Sequence, residues 1–159
     1  MNKVLTVITS LGAMLCLLLC SCGEEAPDAV STYNPTATAE ALLASKAFSG
    51  ALEEIDKEMI PDYYGLDGST IQEAVAYGSL SAGAEELVVL TLNDEQGAKA
   101  AVEALNKRVE SQKQALKDYQ PQEVAKLDGA IIDQRGNSAL LVVAADADAA
   151  QTVLNGLDQ

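Results

Sequence analysis

Nucleophilic and acid–base chemistry draws on a short list of side chains, and these 159 residues lack the most versatile of them, histidine. A Ser-His-Asp or Cys-His arrangement therefore has no base to build on. Ser45-Lys46 and Ser111-x-Lys113 are the nearest approach to a Ser-Lys dyad, but neither spacing puts both side chains on one helical face. Carboxylates are plentiful, 24 acids against 10 basic residues. General acid–base work, however, needs a pair whose pKa values are driven apart in one cleft. Glu53, Glu54, Asp56 and Glu58 spread around a helix as a solvated acidic face. Glu85 and Glu86 precede an apolar run and suit charges that keep a strand edge soluble. No catalytic residue is assigned.

Metal ligation meets the same obstacle. Cys16, Cys20 and Cys22 are the only cysteines, and a zinc site asks for four tetrahedral ligands. From Asp62 to Glu73 the chain has the length of a calcium loop, but Tyr64 stands at its third position and Asp67 where its glycine belongs. Asp146 and Asp148 are explained as helix caps without a cation. No metal and no cofactor is expected. The best functional candidate is "PDYYGLDG", which places Tyr63 and Tyr64 in a loop flanked by acids. Exposed loop aromatics suit a binding surface; the competing role is a plug for a core that has one Phe and no Trp.

The cysteines make better sense as an address. Val4 to Cys20 is uncharged behind Lys3, short for a permanent span of roughly 20 residues and ample for a secretory signal. Leu19-Cys20-Ser21-Cys22 resembles a bacterial lipobox, with an aliphatic residue at −3 and a small one at −1. The expectation is a signal peptide over 1–21, a diacylglycerol on Cys22, and a lipidated N-terminus and tether over 22–37. Two acyl chains suffice for durable attachment where one is marginal.

Loss of Lys3 with the leader makes the formal charge −15, one below the −14 of the whole chain. Such a surface repels nucleic acid, whose phosphates must be neutralised by Lys and Arg, and it is not drawn to anionic head groups. The hydrophobic share of 48% is too high for a disordered chain.

The elements that would position these residues follow from periodicity. "TAEALLASKAF" forms a helix capped by Thr38, and "ALEEIDKEMI" carries Leu52, Ile55, Met59 and Ile60 along one helical side. "IQEAVAYGSL" and "EELVVLTL" are strands of a hairpin. A helix from about Asp94 to Tyr119 starts at an Asn93/Gln96 capping box. A helical turn at "PQEVAKL", a second hairpin turning at Gly136-Asn137, and a last helix capped by Asp146 or Asp148 complete the chain. The expected fold is one α+β domain over 38–159: an N-terminal helix, then two strand-strand-helix units. Their two hairpins join in a two-layer arrangement, one antiparallel sheet of about four strands with helices on one face.

Tyr64-Gly65-Leu66-Asp67, "AEELVVL" at 84–90 and "LKDYQPQEVAKLDGAIIDQRGNSALLVV" at 116–143 resemble the bacterial lipoproteins grouped as domain of unknown function 4358, from about Thr38 to Val153. The resemblance implies a small lipoprotein on the outer face of a Gram-positive-type membrane and no activity. The functional expectation is a non-catalytic protein- or ligand-binding module, membrane-anchored and extracytoplasmic, with an unknown partner and no nucleic acid. The alternatives are a carboxylate-dependent hydrolase of envelope material and a weak extracellular cation binder.

Overall fold

A computed structural model of the protein describes residues 31–80 and 83–157. The expected signal peptide, Cys22 and the tether as far as residue 30 lie outside them. In order, the chain forms helix α1 (Pro35–Leu43), strand β1 (Leu52–Glu54), a 3-10 turn (Lys57–Met59) running into helix α2 (Ile60–Tyr64), and a second 3-10 turn (Gly68–Thr70). There follow β2 (Ile71–Ser79), β3 (Glu86–Leu92), α3 (Glu95–Leu116), α4 (Pro121–Asp128), β4 (Ile131–Arg135), β5 (Ser138–Val143) and α5 (Ala147–Gly156). The class is α+β, with one antiparallel sheet in the order β1-β2-β3-β5-β4.

The sheet has five strands rather than about four. The addition is β1, inside the segment whose apolar spacing predicts a helix. Leu52, Glu53 and Glu54 pair instead with Ser79, Gly78 and Tyr77 of β2, because a ready-made strand edge outweighs the weak propensity of three residues. Only the latter part of that segment is helical, where Ile60 is buried and Met59 stays 57% exposed.

The fold has three layers, not two. All of β5, and all of β3 save Thr91, is buried, so both faces of the central strands need cover. Val88, Leu90, Leu141 and Val143 pack under α3 with Leu105 and Ala101, joined by Leu127 of α4 and Ile60 of α2. On the opposite face Leu87, Val89, Leu140 and Val142 pack under Leu42 of α1 and Leu154 of α5. The register, Val88 opposite Leu141 and Val89 opposite Leu140, keeps both faces continuous.

This layering also separates the two strand-strand-helix units. Strands β3 and β5 are antiparallel neighbours with their hairpin partners on the outer flanks. A rotation exchanging them has its axis perpendicular to the sheet and would keep both helices on one face. Helices α3 and α5 lie on opposite faces, so the units differ in hand and are not a structural repeat.

Several boundaries move by a cap. Asn34, not Thr38, caps α1 by accepting from the Ala37 amide at 2.9 Å, with Pro35 in the first turn and Thr38 buried. Asp94 caps α3, accepting from Gly97 N–H at 2.7 Å, while the Asn93 amide donates to Ser69 O. Asp146 caps α5 through Ala149 N–H. The β4–β5 turn uses Gly136 at φ 52°, which suits glycine.

The folded body also begins before Thr38. Tyr33 is 3% exposed. Its N–H donates to Ser138 Oγ at 2.8 Å, its hydroxyl donates to Asp133 at 2.5 Å, and the Arg135 guanidinium lies 4.2 Å from its ring centre. Residues 33–37, expected as part of the tether, therefore belong to the folded body, and Tyr33 fastens the chain to the β4–β5 hairpin end of the sheet.

Leu105→Ala, at the centre of the α3 face, is expected to lower unfolding free energy by about 3 kcal/mol, whereas Leu80→Ala at a 66% exposed site should stay within about 0.5 kcal/mol. Urea titration of both variants checks this, and equal losses would contradict the assignment of the core.

Candidate functional site

Successive residues of an extended chain diverge, and at the start of β3 this sends Glu85 and Glu86 into two different polar networks. Both are buried, at 4% and 3% exposure, which corrects the expectation that they solubilise a strand edge. Strand β3 is the middle of the sheet, so its first residues must satisfy their charges internally.

Glu86 lies on the α3 side. Arg108 donates to it twice, from Nη2 at 3.0 Å and Nε at 3.3 Å, and Gln112, one helical turn on, donates at 2.8 Å. The same guanidinium stacks 4.1 Å from the Tyr63 ring centre and 5.8 Å from that of Tyr64, and the two rings meet edge to face at 5.2 Å. The structure thus gathers the sequence-expected pair around Arg108 but gives its members different roles. Tyr64, 3% exposed, plugs the core, and only Tyr63, 41% exposed, offers a surface. Among the described residues, the Tyr64 hydroxyl is the buried side-chain polar atom with no hydrogen-bond partner. Burial, then the charge of Glu86, pushes that phenol far above its ordinary value.

Glu85 forms the second network, which sequence reasoning missed. Its carboxylate accepts from Ser49 N–H at 3.0 Å, from the Ser49 hydroxyl, and from Lys126 Nζ at 2.9 Å. Lys126 also reaches Glu123 at 3.1 Å, and Glu123 accepts from Ala84 N–H at 2.8 Å. Helix α4 presents Glu123 and Lys126 three residues apart, on one face. Burial alone would raise the Glu85 carboxyl, but the Ser49 and Lys126 hydrogen bonds outweigh it and hold it below the ordinary range. Burial likewise opposes the Lys126 ammonium, and the hydrogen bonds to Glu85 and Glu123 more than restore it.

These groups line a cleft of about 380 Å³ at the end of the sheet. Its wall packs closely at Gly83, where a Cβ would crowd Glu123 Oε2 and Ser79 Oγ, each at 3.2 Å. The cleft can hold and orient a polar ligand. A general acid is not supplied by Glu85, which is ionised at neutral pH. One sequence signal pointed here: two acids abutting "LVVL", a run apolar on both faces, have no solvent-facing side to occupy.

Among the described residues no three Asp, Glu or Cys side chains are grouped to hold a metal ion, and no helix is long and apolar enough to cross a membrane. The chain belongs to the family described as domain of unknown function (DUF4358), whose model matches residues 45–158 and so takes in both networks. No curated protein and no solved structure matches it.

The shifts set the pH window of stability. The depressed Glu85 contributes stability above the unfolded carboxylate value near 4.3 and loses it as pH falls below that. The raised Lys126 and Tyr64 contribute fully below about pH 10 and lose it as pH rises further. Thermal midpoints should be flat from about pH 5 to 9 and fall on both sides. Tyr64→Phe removes an unpartnered hydroxyl and should be neutral or stabilising by about 1 kcal/mol, with a shallower alkaline fall; a loss of 2 kcal/mol or more would show that the hydroxyl is bonded.

Proposed function

We propose that this chain is a lipid-anchored lipoprotein of the extracytoplasmic membrane face, a non-catalytic binding module whose working surface is the sheet end that carries the Glu85–Lys126–Glu123 cleft. The observation that carries the reading is the placement of Tyr33. It pins the incoming chain to Ser138 and Asp133 at the hairpin end, while the cleft opens at the other end of the sheet, beside the first residue of β3. Seven residues of strand separate the ends by about 23 Å. A chain arriving from Cys22 therefore joins the body at the end remote from the cleft, which supports a cleft directed away from the membrane. The lipobox residues Leu19, Ser21 and Cys22 support the anchor, and the acidic body is not pulled onto anionic lipid.

A carboxylate-dependent hydrolase is the second reading, favoured by the convergence of Glu85 and Glu123. Against it, the Ser49 and Lys126 hydrogen bonds hold Glu85 as a carboxylate, so it does not serve as the protonated acid that such hydrolysis needs.

Cys22→Ser should leave the detergent phase and lose the mass of the acyl chains by intact-mass analysis; a variant still partitioning like the parent would refute the anchor. A photo-crosslinker at Gly50, beside the cleft, should capture an extracytoplasmic partner in intact cells, whereas one at Asn137 should not. Equal capture from both positions, or none from either, contradicts the assigned surface.

A further inference from the structure

Strand β2 runs for nine residues, but β1 covers only its last three, Tyr77–Ser79. Ser79 N–H donates to Glu85 O at 3.0 Å, so by the alternation of the antiparallel ladder Tyr77, Val75 and Glu73 also turn their peptide groups toward β3, and Ala76 and Ala74 turn theirs to the open edge. Ile55 N–H still reaches Ala76 O at 2.8 Å. The residue due opposite Ala74 is Lys57, which instead starts the 3-10 turn. Among the described residues Ala74 N–H and C=O are thus left without a hydrogen-bond partner, on a residue only 8% exposed, where main-chain groups are normally paired.

We propose that this edge of β2 accepts a short, extended, basic segment of a partner protein, added as a strand in line with β1. The space for it is a cavity of about 260 Å³ along the edge, floored by Ile60 and Pro61. Ala74 faces the same core as Ile60, so a ligand residue paired with Ala74 sends its side chain onto that apolar floor. The residues on either side of it point to the opposite face of the sheet, the face of Val75 and Tyr77. There Glu73 is exposed, and burial, then the charges of Glu54 and Glu40, push the Tyr77 phenol up. The edge therefore reads a basic–apolar–basic triplet.

Charge selects among the strands that could pair here. Residues 51–79 carry seven acids against one cation, Lys57. A second copy of this chain would bring the same acids to the edge and be repelled, whereas a basic segment is drawn to it. The acids do not make the site: Asp56 and Asp67, for example, cap the two 3-10 turns. The open main chain and the cavity accept a strand, and the acids set its sign.

The test is fluorescence anisotropy of a fluorescein-labelled Lys-Lys-Val-Lys-Lys amide titrated with the full-length chain in neutral detergent. Two peptides serve as comparisons: the same sequence with N-methylvaline, equal in charge but without the strand N–H, and Glu-Glu-Val-Glu-Glu. The parent peptide should bind saturably, the N-methyl peptide about tenfold more weakly, and the acidic peptide not at all. Hydrogen exchange at the Ala74 amide should slow at saturating peptide. Ala74→Pro removes an outward N–H and no bond to β3, a place where an edge strand tolerates proline, and should weaken the parent peptide by about tenfold. If that variant fails to fold, Glu73→Lys at its exposed site decides, with an unchanged thermal midpoint and about tenfold weaker binding. Equal affinity for the N-methyl peptide would show attraction to the acidic surface alone and overturn the proposal. Indifference to Glu73→Lys, no slowing at Ala74, no saturable binding, or a dimer in light scattering that Ala74→Pro disrupts would overturn it as well.

Discussion

The structure depends on one constraint: the adjacent strands β3 and β5 are apolar on both faces and cannot face water on either side. Leu87, Val89, Leu140 and Val142 on one side, and Val88, Leu90, Leu141 and Val143 on the other, are all essentially inaccessible. Each face then needs its own helical cover, which is why α3 and α4 close one and α1 and α5 the other. At roughly 1.5–3 kcal/mol for each large aliphatic side chain buried, these eight residues outweigh any local propensity that disagrees with them. With so few aromatics, the same strands must supply most of the packing that stabilises the chain.

A strand buried on both faces also decides where polar chemistry can occur. Polar side chains are excluded from the middle of β3, so its charges collect at its first residues, and there they must be paired. Arg108 and Gln112 of α3 satisfy Glu86, while Ser49 and Lys126 satisfy Glu85. The first pairing is tight and mostly structural, since Tyr63 and Tyr64 close over Arg108. The second lies beside open volume, the cleft of about 380 Å³. Burial, charge and space coincide only at the second, so the functional reading rests there and not on the tyrosine loop.

Much of this was legible in the residues, and the failures have physical causes. The long α3 and the tight Gly136-Asn137 turn are local devices and can be read locally. Strand β1 could not be: Leu52-Glu53-Glu54 has no strand character of its own and is extended because β2 offers an edge. The second helical face was readable in principle from the unbroken runs "LVVL" and "ALLVV", which alternate nothing and so have no wet side. The division of Tyr63 from Tyr64 depends on Arg108, 44 positions further along, and the Glu85–Lys126 pair joins residues 41 apart. Such convergence is set by the sheet order, which no single segment encodes.

Under the proposed function, the body hangs from its hairpin end with the cleft directed outward. Nitroxide labels at Asn137 and at Gly50, on chain purified from its native membrane and returned to lipid vesicles, test it by their relative accessibility to lipid-soluble oxygen and to a water-soluble nickel chelate. The account predicts that the Asn137 label is the more accessible to oxygen and the Gly50 label the more accessible to nickel. Identical accessibilities at the two positions, or a Gly50 label closer to the lipid, would contradict it.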